Sequence, residues 1–282
     1  MRKSFILVFA LMLGLSALIS QAKDDDNQKA KDKKEAKAKK GDDDKAVDNK
    51  DIVVAGDRSK NVVFAGKEAG KGKGVRLFIL SGQSNMAALD HKLSFVPAIE
   101  KAFPDDELIF VKDSQSGQPI RRWTKDWIKP EGWDDSKNRF KIGKNDLYQR
   151  LMESVKKTVE GKKLDSVSFI WMQGEADAKG GTAGTYEDSM RKLVKQVRDD
   201  MGRQDVTVAI GRISDHLKGD KDWEIVRAAQ VKVAEEDPLA GWIDTDECNG
   251  TANGLHCDAN GYKKMGEAFA AKLTELIKKQ KK

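Results

Sequence analysis

Three short polar segments, far apart in the chain, carry residue types suited to acyl transfer. The first, Gly82-Gln-Ser-Asn-Met86, ends an apolar run (Val75, Leu77, Phe78, Ile79, Leu80) and delivers Ser84 into a loop, with Gln83 and Asn85 as supporting amides. The second, Gln173-Gly-Glu-Ala-Asp177, follows the apolar run Ser166 to Met172. Its Gln173 amide can donate to a developing oxyanion, while Glu175 orients a neighbour or caps the next turn. The third, Asn253-Gly-Leu-His-Cys257, holds His256, one of three histidines in the chain. A serine hydroxyl needs a base such as imidazole to take its proton at neutral pH. His91 follows Ser84 too closely to reach back, and His216, in Ser214-Asp-His216, is the one competitor.

Other chemistries find less support. Lys67 to Gly74 is rich in Gly and Lys, but no Gly-Lys-Ser/Thr follows and the stretch precedes a strand, so it reads as a linker and not a phosphate loop. Neither His-Glu-x-x-His nor a Cys/His cluster with zinc spacing occurs, so no metal or other cofactor is expected. The Gly-x-Ser-x-Gly elbow of α/β-hydrolases is absent.

The elements that must position these residues alternate from Val75 onward. Strand patterns cover Val75–Leu80, Glu107–Val111, Ser166–Met172, Val206–Ile213 and Gly241–Thr245. Helical patterns cover Phe95–Phe103, Asp146–Val159, Tyr186–Met201, Trp223–Glu235 and Ala259–Ile277; in the last, Tyr262, Met265, Phe269, Leu273 and Leu276 share one face. Such alternation predicts a three-layer α/β/α sandwich around a five-stranded, mostly parallel sheet. Ligands bind such sheets beyond the carboxyl ends of the strands, where Ser84 and Gln173 fall. Asp113 to Asn145 interrupts the alternation, and a loop of that length is usually functional. Its Trp123, Trp127 and Trp133 offer flat faces to a sugar ring, and Arg121 or Arg122 can pair with a carboxylate, although at least one tryptophan should pack the loop onto the domain.

Residues 1–22 read as a signal peptide: Arg2 and Lys3, an apolar stretch from Phe5 to Ile19, then Ser20-Gln21-Ala22. The apolar stretch is shorter than the ~20 residues of a spanning helix, so cleavage near Ala22 and export (periplasmic or secreted) are expected, with no membrane span left. Residues 23–74 read as a charged tether and linker. From Lys23 to Asp51 there are ten lysines, ten acidic residues and no aromatic residue, a composition that cannot bury a core. Residues 75–282 then form one domain. The formal charge of +6 is spread along the chain, which argues for solubility and against nucleic-acid binding. Cys248 and Cys257 are the only cysteines, and a close pair in an exported chain predicts a disulfide. Asn249-Gly-Thr251 also fits a glycosylation sequon.

Gly82-Gln-Ser-Asn-Met86, Trp171-Met-Gln-Gly-Glu-Ala-Asp177 and Gly254-Leu-His256 together resemble the blocks of the sialate O-acetylesterase-like branch of the SGNH hydrolases. That branch includes carbohydrate esterase family six with its acetylxylan esterases. The blocks occur in the family's order between Val75 and Ile277. The resemblance implies an SGNH, flavodoxin-like fold and an exported serine esterase that removes O-acetyl groups from sialic acid or xylan-type glycans. Ser84 would be its nucleophile and His256 its base. Gly117, in Asp113-Ser-Gln-Ser-Gly-Gln-Pro-Ile120, matches a further block; its N–H would join those around Ser84 and the Gln173 side chain in the oxyanion hole. One position departs: Asn253 stands where the family pattern has a triad aspartate. In the serine-protease template an Asp-to-Asn change costs roughly ten-thousand-fold in turnover. Four routes follow. Asn253 orients the imidazole itself; Asp244, Asp246, Glu247 or Asp258 replaces it; Asn253-Gly254 deamidates; or the protein is a weak or inactive homologue that still binds carbohydrate.

Overall fold

A computed structural model describes residues 62–65, 74–134 and 145–280. The expected signal peptide, most of the tether and part of the Trp-rich segment lie outside the described residues. The strands are β1 (Val62–Ala65), β2 (Val75–Gly82), β3 (Glu107–Ser114), β4 (Ser166–Met172), β5 (Thr207–Gly211) and β6 (Ala240–Ile243). The helices are α1 (Ser84–Ala88), α2 (Phe95–Ala102), α3 (Asp146–Thr158), α4 (Glu175–Lys179), α5 (Tyr186–Asp200), α6 (Lys221–Glu236) and α7 (Ala259–Gln280).

The sheet order is β1-β3-β2-β4-β5-β6. β3, β2, β4, β5 and β6 run parallel, as the alternation predicts. A sixth strand, β1, pairs antiparallel with β3 at the edge. This segment, grouped with the linker on sequence, is too short for a periodicity signal, but its Val-Val-Phe-Ala composition suits a strand. From β2 the chain moves to β3 on one side and later to β4 on the other. The loops after β2 and β4 therefore part, and a crevice opens at the carboxyl ends of these two central strands.

Both faces are covered, so β4 is buried along its whole length. On one face Phe95 of α2 packs edge-on against Phe78 of β2 and Phe110 of β3. α7 closes onto α2 at Gly266, where an added Cβ would lie 2.0 Å from Ser94 Oγ. On the other face Trp171 of β4 donates from Nε1 to the Tyr186 hydroxyl on α5 (3.2 Å). Arg150 of α3 grips the buried Asp113 of β3 with a 2.5 Å ion pair. The two short helices α1 and α4, which the sequence patterns do not show, start directly after β2 and β4 and line the crevice. Buried Lys112 of β3 supports α1 from below: its Nζ donates to Leu89 O (2.5 Å) and Ala87 O (3.3 Å), meeting carbonyls that the helix end leaves unpaired.

Candidate active site

Ser84 reaches the crevice because Gly82 lets two backbones meet. Gly82 has φ +145°, and a Cβ on it would sit 2.0 Å from Met172 O of β4. The next residue continues the contact, with Gln83 N–H donating to Met172 O (2.9 Å). Ser84 then opens α1, and its own N–H, at the helix start, has no intrahelical acceptor. From the far end of the chain, the loop before α7 brings His256 over the crevice. Its Nε2 lies 3.0 Å from Ser84 Oγ, within hydrogen-bond reach of a nucleophile and its base. His91 and His216 are elsewhere. His91 is buried before α2, and His216 Nδ1 is 2.7 Å from Asn253 O.

Asn85 locks the His256 loop from both sides. Its Oδ1 accepts from the Cys257 N–H (3.2 Å) and the Tyr262 hydroxyl (3.2 Å), while Nδ2 donates to Leu255 O (3.2 Å) and Glu175 Oε1 (2.7 Å). Leu255 and Cys257 flank the histidine, so the side chain next to Ser84 sets the position of His256. Glu175 is sealed under this arrangement. Burial pushes its carboxyl above the usual carboxylate range, against the pull of hydrogen bonds including the one from Asn85. It orients Asn85, as a supporting residue, and does not touch His256.

None of the candidate acids meets the imidazole. Asn253, exposed and at φ +45°, turns away: its Oδ1 accepts from Asn249 Nδ2 (2.6 Å) and its Nδ2 donates to Asp215 O (3.4 Å). Left-handed backbone of this kind suits Asn in a turn. Asp244 and Asp246 pair with Arg212, and Asp246 also with Arg227. Glu247 faces Lys264, and Asp258 caps α7 through the Gly261 N–H (2.7 Å). Among the described residues, therefore, Ser84 and His256 form a pair without a third, acidic member.

The oxyanion side also differs from expectation. Gln173 is fully buried, and its Nε2 is shared among Asp177 Oδ2 (2.6 Å), Gln118 O (3.1 Å) and Gln83 Oε1 (3.2 Å). It braces the site from behind and does not line the crevice. Asp177 is the node that sequence left without a role. It accepts from the Ile120 N–H (2.8 Å) and the Thr182 hydroxyl (2.7 Å), tying the Gly117 loop to α4. Burial lifts its carboxyl to about 6, although Thr182, Ile120, Gln173 and the Arg121 guanidinium pull it back. Gly117, with φ +69°, lines the same crevice as Ser84.

The crevice encloses about 840 Å³ and is lined by Ser84, His256, Gly117, Arg121 and Trp133, among others. Trp123, expected at the substrate, is instead fully buried and packs edge-on against Trp171, 5.2 Å between ring centres. Arg122 is likewise structural, pairing with Asp146 and donating to Gln118 Oε1 (2.9 Å). Arg121 does reach the crevice wall, its guanidinium 5.6 Å from the ring centres of both Trp127 and Trp133. The expected disulfide is not formed. Cys248 and Cys257 are both thiols. They are close enough to share a hydrogen bond, which lowers the Cys248 pKa and, with burial, raises that of Cys257. Their proximity agrees with the spacing, whereas the expected bond is absent.

A search of curated proteins returned no match. Among solved structures, a protein of Arabidopsis thaliana superposes with a TM-score of 0.54 at 17% identity, over 73% of this chain and 99% of the other. A carbohydrate acetylesterase from Xanthomonas citri superposes with a TM-score of 0.52 at 14% identity, over 72% of this chain and 56% of the other. At such identities the likeness concerns the fold. A family model described as "Carbohydrate esterase, sialic acid-specific acetylesterase" matches residues 87–275, most of the chain. The chain belongs to this family of carbohydrate acetylesterases.

Proposed function

We propose that the chain removes O-acetyl groups from carbohydrate by way of an acyl-enzyme on Ser84. The observation that carries this reading is the 3.0 Å contact between Ser84 Oγ and His256 Nε2 at the crevice. Ser84 Oγ attacks the acetyl carbonyl as His256 Nε2 takes its proton. The backbone N–H groups of Ser84 and Gly117 face the oxyanion of the tetrahedral intermediate. His256 returns the proton to the departing sugar hydroxyl. A water molecule, deprotonated in turn by His256, then releases acetate. Trp133, the one tryptophan of the long loop at the crevice, offers the sugar a flat face.

Among the described residues the imidazolium formed in this sequence has no acid behind it, so turnover is expected to be slow relative to a full triad. That same observation favours the second reading, an inactive homologue that binds acetylated carbohydrate. Acetate release from 4-nitrophenyl acetate, acetylated xylan and acetylated sialic acid separates the two. The active reading requires turnover that falls by roughly 10²-fold or more in Ser84→Ala, the part of a triad's rate that remains once the acid is missing. Equal rates for the two proteins, with sugar binding retained, would establish the inactive homologue. We further propose export with cleavage after Ala22. The mass of the chain recovered from outside the cytoplasm should then start at Lys23, and a retained Met1 in that fraction would refute the cleavage.

A further inference from the structure

We propose that the side chain of Gln83, and not that of Gln173, supplies the amide donor of the oxyanion hole. The inference rests on the esterase reading above and assigns a further catalytic residue to it. Gln83 immediately precedes the nucleophile and lines the crevice, although only 3% of it is exposed. Which end of its amide faces the substrate follows from its partners. The Ala176 backbone N–H, which can only donate, points at Gln83 Oε1 (3.1 Å), and Gln173 Nε2 points at the same oxygen (3.2 Å). Both donors fix the oxygen toward α4, so Nε2 is turned to the other side. Among the described residues no acceptor meets this Nε2, nor is it one of the sealed polar atoms that lack a partner. A donor held in place by its own oxygen, beside Ser84 and without a protein acceptor, is what a developing oxyanion requires.

Gln173 cannot take the role as it stands, because its Nε2 is already shared among three acceptors. Its place is one step back. Gln173 Nε2 is held by Asp177 Oδ2 (2.6 Å) and donates to Gln83 Oε1, and the two donors on that oxygen, Gln173 Nε2 and Ala176 N–H, polarise the Gln83 amide so that its own N–H is a better donor.

Gln83→Glu tests this against a merely structural Gln83. The glutamate retains an oxygen for the Ala176 N–H and for Gln173, but replaces the donor with an acceptor. Rates are taken per Ser84 titratable by a phosphonofluoridate, so loss of folded protein does not count as loss of rate. The expected result is a fall in kcat of roughly 10²- to 10³-fold with KM within about threefold. Affinity for an alkyl boronic acid, which forms a tetrahedral anion on Ser84, should fall by a similar factor. Gln83→Ala should show the same loss in both readouts, and it decides the matter if the glutamate variant does not fold. A per-site kcat within threefold of wild type in either folded variant, while Ser84→Ala is inactive, overturns the Gln83 assignment and leaves the esterase intact. Wild-type protein no faster than Ser84→Ala overturns the esterase reading and the Gln83 assignment with it.

Discussion

Asn85→Ala will lower kcat by roughly 100-fold, the order expected when a catalytic group is displaced by about 1 Å. The residue is three positions past Gly82 and never touches the reacting atoms, yet it holds the backbone on both sides of His256. Without it the Leu255 carbonyl and the Cys257 N–H lose their partner, and the buried Glu175 carboxyl loses its side-chain donor. Unpaired groups of this kind cost about 1–3 kcal/mol each when sealed from water, so the loop carrying the base will move to find water or new partners. KM should change little, because the crevice wall at Trp133 and Arg121 is untouched. Asn85→Asp should fall between, since its oxygens still accept from Cys257 and Tyr262 but cannot donate to Leu255. The companion variant Asn253→Asp should alter kcat less than threefold, because that side chain faces Asn249 and Asp215 rather than the imidazole. Kinetics of the three variants decide this. Full activity in Asn85→Ala, or a hundredfold gain in Asn253→Asp, would show that the histidine is positioned from the Asn253 side after all.

Gly82→Ala is expected to destabilise the fold by more than about 4 kcal/mol, an effect reached only when backbone strain and overlap combine. At φ +145° an L side chain is strained whatever the space, and here there is none, since the added Cβ would overlap Met172 O at 2.0 Å. Nor can the obstacle rotate away, because it is backbone of the central strand β4, buried throughout. The only relief is to part β2 from β4 at the point where Gln83 N–H meets Met172 O. Urea unfolding followed by circular dichroism reads the effect. A variant with the wild-type midpoint would mean that the two strands separate at little cost, contrary to the packing described here.

The alternation of strands and helices was legible in the chain because it follows from local periodicity. The helix Ala259–Gln280 shows its apolar face residue by residue, and each of the five parallel strands is a short apolar run. Ser84 was equally visible, since an apolar strand ending at a glycine must deliver the next polar residues to the sheet's edge. His256 followed from the scarcity of histidines. What sequence could not decide was the partner of each polar side chain. Asn85 meets residues 90 to 177 positions away, and Gln173 finds Gln118, 55 positions back, and Gln83, 90 back. These choices depend on which carbonyls and N–H groups the sheet brings together, and no local pattern encodes them.

For the same reason, Trp123 and Trp133 are indistinguishable in the chain, although one is sealed against Trp171 and the other lines the crevice. Asn253 is the sharpest case. The resemblance expects a triad acid at its position, but a left-handed turn and a 2.6 Å bond to Asn249 send its side chain elsewhere. Residue types and their order determined which chemistry the chain can attempt. The tertiary structure alone decided which amide lines the crevice and what holds the histidine, because a buried hydrogen-bonding group takes the partner that folding places within reach.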